Sequence, residues 1–329
     1  MKRVCLLICA LLAASACSGP MLSAVGESDD LVIVTSDRAT GQLTRAAIEV
    51  GEHPVPWLLD EPTFKTSVRT LSEIKGVTNR RHLLLVGTWE DEMGKFAGRR
   101  FEQLTAGGGT RMAISNDVWA EGQVVAAVVG PNERAVAEYL SANARDIIGR
   151  IERASLDRLA AGLCSTQESR RMSEALIDRF GWSLCLPKEY ELFTTPDDVS
   201  FAFFRRTRPD RTVFVAWRDG GPDDVTPELA AAWRATLSAM YLDGDEIEER
   251  RPFLSDRTTL SGLEAVRLTG WWANRRLVGG GPFVSYCFYA PEQERVYMVD
   301  ASLFAPSFDK TALMRNLEGI VTTFRPGNE

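Results

Sequence analysis

The sequence has few of the residues on which metal and nucleophile chemistry depends. Its 329 residues include two histidines, no H-E-x-x-H motif and six cysteines without a C-x-x-C pair, so neither a zinc site nor a disulfide scaffold is expected. It also has no G-x-S-x-G elbow, no Walker loop and no G-x-G-x-x-G helix start. These absences predict no catalytic residue, no metal and no cofactor, while a Ser-His-Asp arrangement dispersed along the chain stays open.

Positive charge is also in deficit. The chain carries 38 Lys+Arg against 45 Asp+Glu, which gives a formal net charge of -7 at pH 7. Nucleic-acid-binding surfaces are usually basic, so no nucleic acid partner is expected. The hydrophobic fraction of 45% and the charged fraction of 25% are those of an ordinary folded protein.

Long hydrophobic runs are missing, and the N-terminus carries a short one. Lys2 and Arg3 precede the apolar stretch Val4–Ala16, whose 13 residues are too few to span a bilayer, which needs roughly 20. A positive start followed by a short apolar stretch predicts a signal peptide.

Small residues precede a cysteine at the end of this stretch. Ala14-Ser15-Ala16-Cys17 resembles the lipobox of bacterial lipoproteins, although Ala14 stands where leucine is usual. The resemblance implies cleavage before Cys17 and membrane attachment through acyl chains on Cys17. Ser18 follows where inner-membrane retention usually has aspartate, so the outer membrane, facing the periplasm, is favoured. An ordinary secretory signal cut at Ala16, with a free Cys17, is the alternative.

Apolar runs separated by helical patterns predict an α+β fold in two halves. We expect a signal peptide over residues 1–16, a tether over 17–30, an N-terminal domain over 31–165 and a C-terminal domain over 166–329. Each half is expected to be a mainly antiparallel sheet covered by helices, with one long helix over 132–161 across the first sheet. Predicted core residues are Leu83, Leu85, Val125, Val128, Leu184, Phe214, Val284 and Met298.

Several short elements occur in a distinctive order along the chain. They are 61–64 (EPTF), 81–86 (RHLLLV), 117–125 (DVWAEGQVV), 180–182 (FGW), 280–285 (GGPFVS), and Ala305-Pro306 followed by Lys310. In this order, and with the lipobox, they are similar to the envelope lipoproteins called domain of unknown function 4837, over essentially the mature chain. The acidic segment 243–249 departs from that family, which is basic there. The resemblance implies no activity and no catalytic residue. The second half also resembles the PsbP/Mog1-type sandwich.

Three cysteines remain after Cys17 in the mature chain. Cys185 and Cys287 lie in strand patterns, which predicts buried thiols. One disulfide that leaves one thiol free, with Cys164 as the third cysteine, is the alternative.

Glycine triplets and paired carboxylates are interpreted as features of turns. The triplets at 107–109 and 279–281 are predicted to turn the chain. Carboxylates at 197–198, 223–224 and 243–249 lie beside Pro or Gly, where solvated aspartates start turns. Acid–base work on glycans is the alternative for these pairs.

Large aromatic residues give the most suggestive surface signal. Trp271 and Trp272 are adjacent in a predicted strand, so they must point to opposite faces of the sheet. Together with Trp119 and Phe283 they are the candidate binding residues, around a loop at 279–285. Filling of the core is the alternative role.

Two classes of function remain open from the sequence. The favoured one is a non-catalytic envelope lipoprotein that binds a protein, peptide or glycan partner or serves in assembly. The other is a periplasmic hydrolase of cell-wall glycan or peptide. The missing nucleophile and metal motifs favour the first.

Overall fold

A five-stranded sheet organises the first half of the chain, whose computed structural model describes residues 21–58, 61–104, 108–193 and 200–327. The strands run in the order β2-β1-β3-β5-β4, and only β4 is antiparallel to its neighbour. They are β1 (Asp30–Thr35), β2 (Lys65–Thr70), β3 (His82–Thr88), β4 (Arg111–Asn116) and β5 (Val124–Gly130).

The α+β class is confirmed, but the prediction of a mainly antiparallel first sheet is wrong. Strands β3 and β5 are buried along their whole length, as in parallel sheets covered by helices on both faces. Helices α1, α3 and α4 cover one face, and α2 with a 3-10 turn (Leu71–Gly76) covers the other. The helices are α1 (Gly41–Gly51), α2 (Glu92–Gly98), α3 (Glu133–Ala142) and α4 (Ala144–Cys164).

The predicted helix over 132–161 is two helices, α3 and α4. Asn132 caps the first through a bond from the backbone N of Ala135 at 2.9 Å. Asn143 separates them, with φ -119° and ψ 17°, and its side-chain amide donates to the Tyr139 oxygen at 2.9 Å. Asparagine competes for backbone partners in this way and so interrupts a helix. Both helices pack over the first sheet as expected.

The start of the described chain is fixed to the first half. Within the predicted tether, Ser23 bridges to Glu121 and Val25 to Arg80. The backbone oxygen of Leu22 accepts a bond from the Glu121 nitrogen at 2.9 Å. Residues 22–26 therefore belong to the folded body.

An eight-stranded sheet organises the second half, and its strands pair antiparallel throughout the described residues. Its order is β10-β12-β13-β14-β9-β8-β7, and β11 also pairs with β12. Helices α5 and α7 lie over one face and α6 over the other. The strands of this sheet are β7 (Glu191–Phe193), β8 (Phe201–Arg206), β9 (Asp210–Asp219), β10 (Glu246–Ile247), β11 (Leu254–Leu260), β12 (Leu263–Asn274), β13 (Gly279–Ala290) and β14 (Arg295–Phe304). Two short strands, β6 (Trp182–Ser183) and β15 (Arg325–Pro326), pair with each other in a separate two-stranded sheet. The helices are α5 (Gln167–Phe180), α6 (Pro227–Tyr241) and α7 (Thr311–Val321), with 3-10 turns at Pro222–Asp224 and Pro291–Gln293.

Buried side chains fill both faces of the two sheets. The eight predicted core residues are all fully buried, which confirms that part of the prediction. No described helix has both the length and the apolar character that crossing a bilayer requires.

The second glycine triplet lies in a strand, so its prediction as a turn is wrong. Gly279, Gly280 and Gly281 begin β13 and pair with Asn274, Ala273 and Trp272 of β12. A Cβ on Gly281 would lie 1.8 Å from the Leu303 backbone oxygen, so glycine is needed for the close approach of β13 and β14. In the first triplet, Gly108 has φ +87° and lies in a bend, as predicted. Gly107 lies outside the described residues.

Cys164 and Cys185 form a disulfide, with their Cα atoms 5.2 Å apart. The prediction of a free buried thiol at Cys185 is therefore wrong, because the end of α4 comes close to the segment after β6. Cys287 is free and buried, as predicted, and burial raises the pKa of its thiol to about 12.

Arg315 of α7 joins the two halves. Its guanidinium donates to the backbone oxygens of Ser28 and Thr63, the latter at 2.8 Å, and to Glu152 Oε1 at 3.0 Å. Glu61 of the first half accepts bonds from the backbone nitrogens of Lys310 and Thr311 at 2.6 and 2.9 Å, at the start of α7. A carboxylate in this position complements the helix dipole.

Candidate binding site

Trp271 and Trp272 point to opposite faces of β12, as the sequence predicts. The Trp271 indole donates to the Trp57 backbone oxygen at 2.7 Å, and the Arg251 guanidinium lies 4.5 Å from its ring. Trp271 therefore packs against the first half of the chain. The Trp272 indole donates to the Leu303 oxygen at 3.3 Å, on the other face of the sheet.

The other two candidates lie elsewhere. Phe283 is fully buried beneath the Arg234 guanidinium, 3.3 Å from its ring centroid, so the core-filling alternative describes it. Trp119 lies in the first half, stacked on Phe96 with ring centroids 6.2 Å apart and capped by Arg100. The four candidates do not form one surface.

Trp272 borders a cavity of about 330 Å³ at one end of the second sheet, which we name the strand-end pocket. This volume is near the lower end of small-ligand sites, about 300–1,000 Å³. Four aromatic rings share the wall with aliphatic and acidic side chains. The lining residues are Phe203, Arg205, Asp210, Thr212, Tyr241, Leu242, Asp243, Asp245, Trp272, Asn274, Leu277, Gly279, Ser302, Leu303 and Phe304.

Gly279 opens the space between two of these rings. A Cβ at Gly279 would lie 3.5 Å from Phe304 and 3.8 Å from Trp272, whose ring centroids are 6.2 Å apart. A larger side chain there would fill the hollow. Within the triplet, Gly279 therefore leaves room for the cavity and Gly281 allows the close strand pairing. The triplet does not form a turn.

Asn274 fixes the rim of the strand-end pocket. Its side-chain oxygen accepts bonds from the backbone nitrogens of Arg276 and Leu277 at 3.0 and 2.8 Å, which shapes the hairpin between β12 and β13. Its amide donates to the Asp243 backbone oxygen at 3.2 Å and to Asp245 Oδ1 at 2.8 Å. One side chain thus couples the hairpin to the turn after α6.

The charges around this pocket are mostly negative. Arg205 is held by Asp210 through two bonds of 2.8 and 2.5 Å. Asp243 has φ 54°, as its predicted turn role requires, and Arg276 lies 3.4 Å from its carboxylate. Asp245 is half-buried, accepts the bond from Asn274 and has no ion-pair partner among the described residues. Burial raises the pKa of Asp245 above its ordinary value, against the lowering effects of the Asn274 bond and of the Arg234 charge.

A buried ion pair lies close to the pocket. Arg234 Nε donates to Asp300 Oδ2 at 2.8 Å, and both side chains are almost inaccessible. The hydroxyls of Ser285 and Ser302 donate to the same carboxylate at 2.5 and 2.9 Å. Distant strands bring these residues together, so no local sequence pattern indicated them.

A second cavity, of about 440 Å³, lies between the two halves, and we name it the interdomain cleft. Arg267 donates to both Glu318 oxygens at 2.7 and 3.2 Å, and the Tyr286 hydroxyl donates to Glu318 at 2.7 Å. Burial raises the pKa of Tyr286, whereas Arg267 and Tyr286 hold that of Glu318 below its ordinary value against the opposing effect of burial. Its charged lining is balanced: Arg145, Arg153, Arg267 and Arg315 against Glu152, Asp157, Asp256 and Glu318.

One Ser–His contact bears on the hydrolase alternative. His82 Nε2 lies 2.9 Å from Ser155 Oγ, and His82 Nδ1 lies 2.8 Å from the Asp30 backbone oxygen. Both side chains are buried and line neither cavity. Burial, assisted by Arg315, lowers the pKa of His82 to about 3, so it is a weak base. The contact stabilises the interior and offers a substrate no access.

The remaining sequence candidates are structural or lie outside the described residues. Asp224 accepts a bond from the Gly221 nitrogen at 2.9 Å, which fits its predicted turn role. The pair at 197–198 and Cys17 lie outside the described residues. Among the described residues, no three His, Cys, Asp or Glu side chains converge as a metal ion would need.

Two family models match the chain. Residues 169–323 match the model described as domain of unknown function (DUF4837), which confirms the predicted family for the second half. Residues 24–163 match a different model, domain of unknown function (DUF8532), so the DUF4837 match does not extend over the first half. No curated protein compared with the chain matches it.

Solved structures share part of the fold. The Saccharomyces cerevisiae Ran-binding protein Mog1p is 10% identical over 44% of this chain and 90% of its own, with a TM-score of 0.32. LpqN of Mycobacterium tuberculosis, involved in cell envelope biogenesis, is 16% identical over 44% of this chain and 83% of its own, with a TM-score of 0.29. Both likenesses concern the fold alone.

Proposed function

The chain joins a DUF8532 domain to a DUF4837 domain, and for this pair we propose a non-catalytic binding role at the cell envelope with the strand-end pocket as the binding site. The observation that carries the proposal is an aromatic cavity of about 330 Å³ between the ends of paired strands. Sites built on strands hold their lining side chains more rigidly than sites on loops.

Export to the envelope is supported by two features. Disulfides persist in oxidising compartments, and Cys164 and Cys185 form one. The N-terminal pattern ending in Ala16-Cys17 favours cleavage and acylation of Cys17. We propose that the protein is a lipoprotein anchored in the outer membrane and facing the periplasm.

The binding site is tested with a neutral apolar dye, N-phenyl-1-naphthylamine, whose fluorescence rises in apolar pockets. We expect the purified protein to bind the dye and Gly279→Leu to lose this binding, because the leucine fills the space between Trp272 and Phe304. Val278→Leu is the matched control, since Val278 is 88% exposed and does not line the pocket. No saturable binding by the native protein, or equal binding by a folded Gly279→Leu protein, contradicts the proposal.

Anchoring is tested by mass spectrometry of the native N-terminus and by membrane fractionation. We expect an acylated Cys17 and release of the Cys17→Ala protein from the membrane. An unmodified N-terminus at Cys17 or at any later residue would rule out lipid attachment while leaving the pocket untouched.

A further inference from the structure

We propose that the strand-end pocket receives the ammonium group of a lysine side chain from a protein partner, an inference that rests on the proposed binding function.

The charge balance of the strand-end pocket favours a cation. Asp210, Asp243 and Asp245 line it against a single guanidinium, that of Arg205. Arg205 is already held by two bonds to Asp210, and Asp243 has Arg276 nearby. Asp245 remains as a half-buried carboxylate at the wall that forms no salt bridge among the described residues, and the one cation whose charge acts on it there, Arg234, is already paired with Asp300. Removal of a carboxylate from water is costly unless a positive group pairs with it.

The aromatic lining also suits an ammonium group. Phe203, Tyr241, Trp272 and Phe304 border the same cavity as Asp245. Ring faces attract cations, most strongly where water is partly excluded, and tryptophan is the best of them. The same rings pack against the methylene stem of a lysine, whose apolar and charged parts separate along its length.

The shape of the rim fits a side chain entering from a partner surface. Leu277 at the rim is 62% exposed, and Phe304 is 37% exposed. Aromatic residues such as Phe304 are enriched at protein contacts relative to the rest of the surface. The interdomain cleft lacks this bias, because its acidic and basic side chains are equal in number.

The test compares two peptides that differ in one charge. Acetyl-Gly-Lys-Gly-amide and its norleucine counterpart have side chains of similar length, and only the first carries an ammonium. We expect the native protein to bind the lysine peptide about tenfold more tightly by calorimetry, the ratio expected for one desolvated cation site. In Asp245→Asn, which keeps the oxygen that Asn274 bonds, the two peptides should bind equally. Asp219→Asn, at the opposite end of β9, should leave the tenfold ratio unchanged.

A second variant pair does not depend on Asp245. Leu277→Lys places a resident ammonium at the rim and should abolish lysine-peptide binding, whereas Val278→Lys, which does not line the pocket, should not. Equal binding of both peptides by the native protein overturns the inference. So does binding of free n-butylammonium without the lysine peptide, which would assign the pocket to a small amine. In either case the naphthylamine dye still binds, whereas failure of the proposed function removes dye binding itself.

Discussion

His82 lies at the start of β3 and is buried among partners from three parts of the first half. Phe64 packs edge-on to its ring at 5.0 Å, Ser155 of α4 faces one ring nitrogen and the Asp30 carbonyl faces the other. In the sequence, the apolar run that follows His82 indicates a buried strand. Its partners could not be predicted, because Ser155 lies 73 residues away in the chain.

The burial of His82 predicts a pH-dependent stability. The folded protein keeps this imidazole neutral down to a pKa of about 3, whereas the unfolded chain takes up a proton near the ordinary value of 6.5. The contribution of the neutral His82 imidazole to the free energy of unfolding is therefore fully present above pH 6.5. It is lost as the pH falls toward 3. Between pH 7 and pH 5 we expect a loss of about 2 kcal/mol in the free energy of unfolding.

Urea titrations at the two pH values measure this loss. His82→Gln should lose less stability between pH 7 and pH 5 than the native protein, and the difference isolates His82 from the other titrating groups. His53→Gln removes the other imidazole and is the control. Equal losses in the native and His82→Gln proteins would show that the burial of His82 does not set the slope.

At the scale of elements, the apolar runs and helical patterns predicted the α+β class, while the strand directions of the first sheet and the break at Asn143 were not predicted. The run at 82–86 indicates a buried strand, but the parallel pairing of β3 with β1 and β5 depends on crossovers that only the fold assembles. The same holds for Gly279–Gly281, where glycines that suit a turn equally suit tight strand pairing. The opposite orientation of Trp271 and Trp272 was predictable because it follows from strand geometry alone.

The tight pairing of β13 and β14 predicts different costs for two neighbouring glycines. Gly281→Ala places a Cβ 1.8 Å from the Leu303 oxygen, so the strands must separate, and we expect a loss of about 2 kcal/mol in unfolding free energy. Gly279→Ala meets its nearest neighbour at 3.5 Å, an ordinary contact, and should cost much less. Chemical denaturation of both variants checks this, and similar midpoints for the two would contradict it.

At the scale of the whole molecule, the two halves are joined by charged groups buried at their contact. Arg315 is 4% exposed at its side chain and bonds to two carbonyls and a carboxylate of the first half. The sequence indicated two α+β units, but no local pattern paired Arg315 with Ser28, Thr63 or Glu152. Long-range polar contacts of this kind lack a periodicity that could reveal them.

Arg315→Met is expected to destabilise the protein by about 3 kcal/mol, because the Ser28 and Thr63 carbonyls lose buried donors. Tryptophan fluorescence during urea unfolding measures the change. Arg134→Met breaks an exposed pair with Glu138 within α3 and should leave the unfolding midpoint unchanged. A midpoint for Arg315→Met equal to that of Arg134→Met would mean that the contact between the halves does not depend on this guanidinium.

The docking of residues 22–26 onto the first half limits where an anchored molecule can operate. From Cys17 to Leu22, the first of the described residues to bond to the fold, the chain reaches at most about 18 Å even when fully extended. With Cys17 acylated as proposed, this short linker would hold the first half of the chain close to the lipid surface. The protein could not then extend far from the membrane. A partner that presents a lysine to the strand-end pocket would then have to be located at or near the membrane.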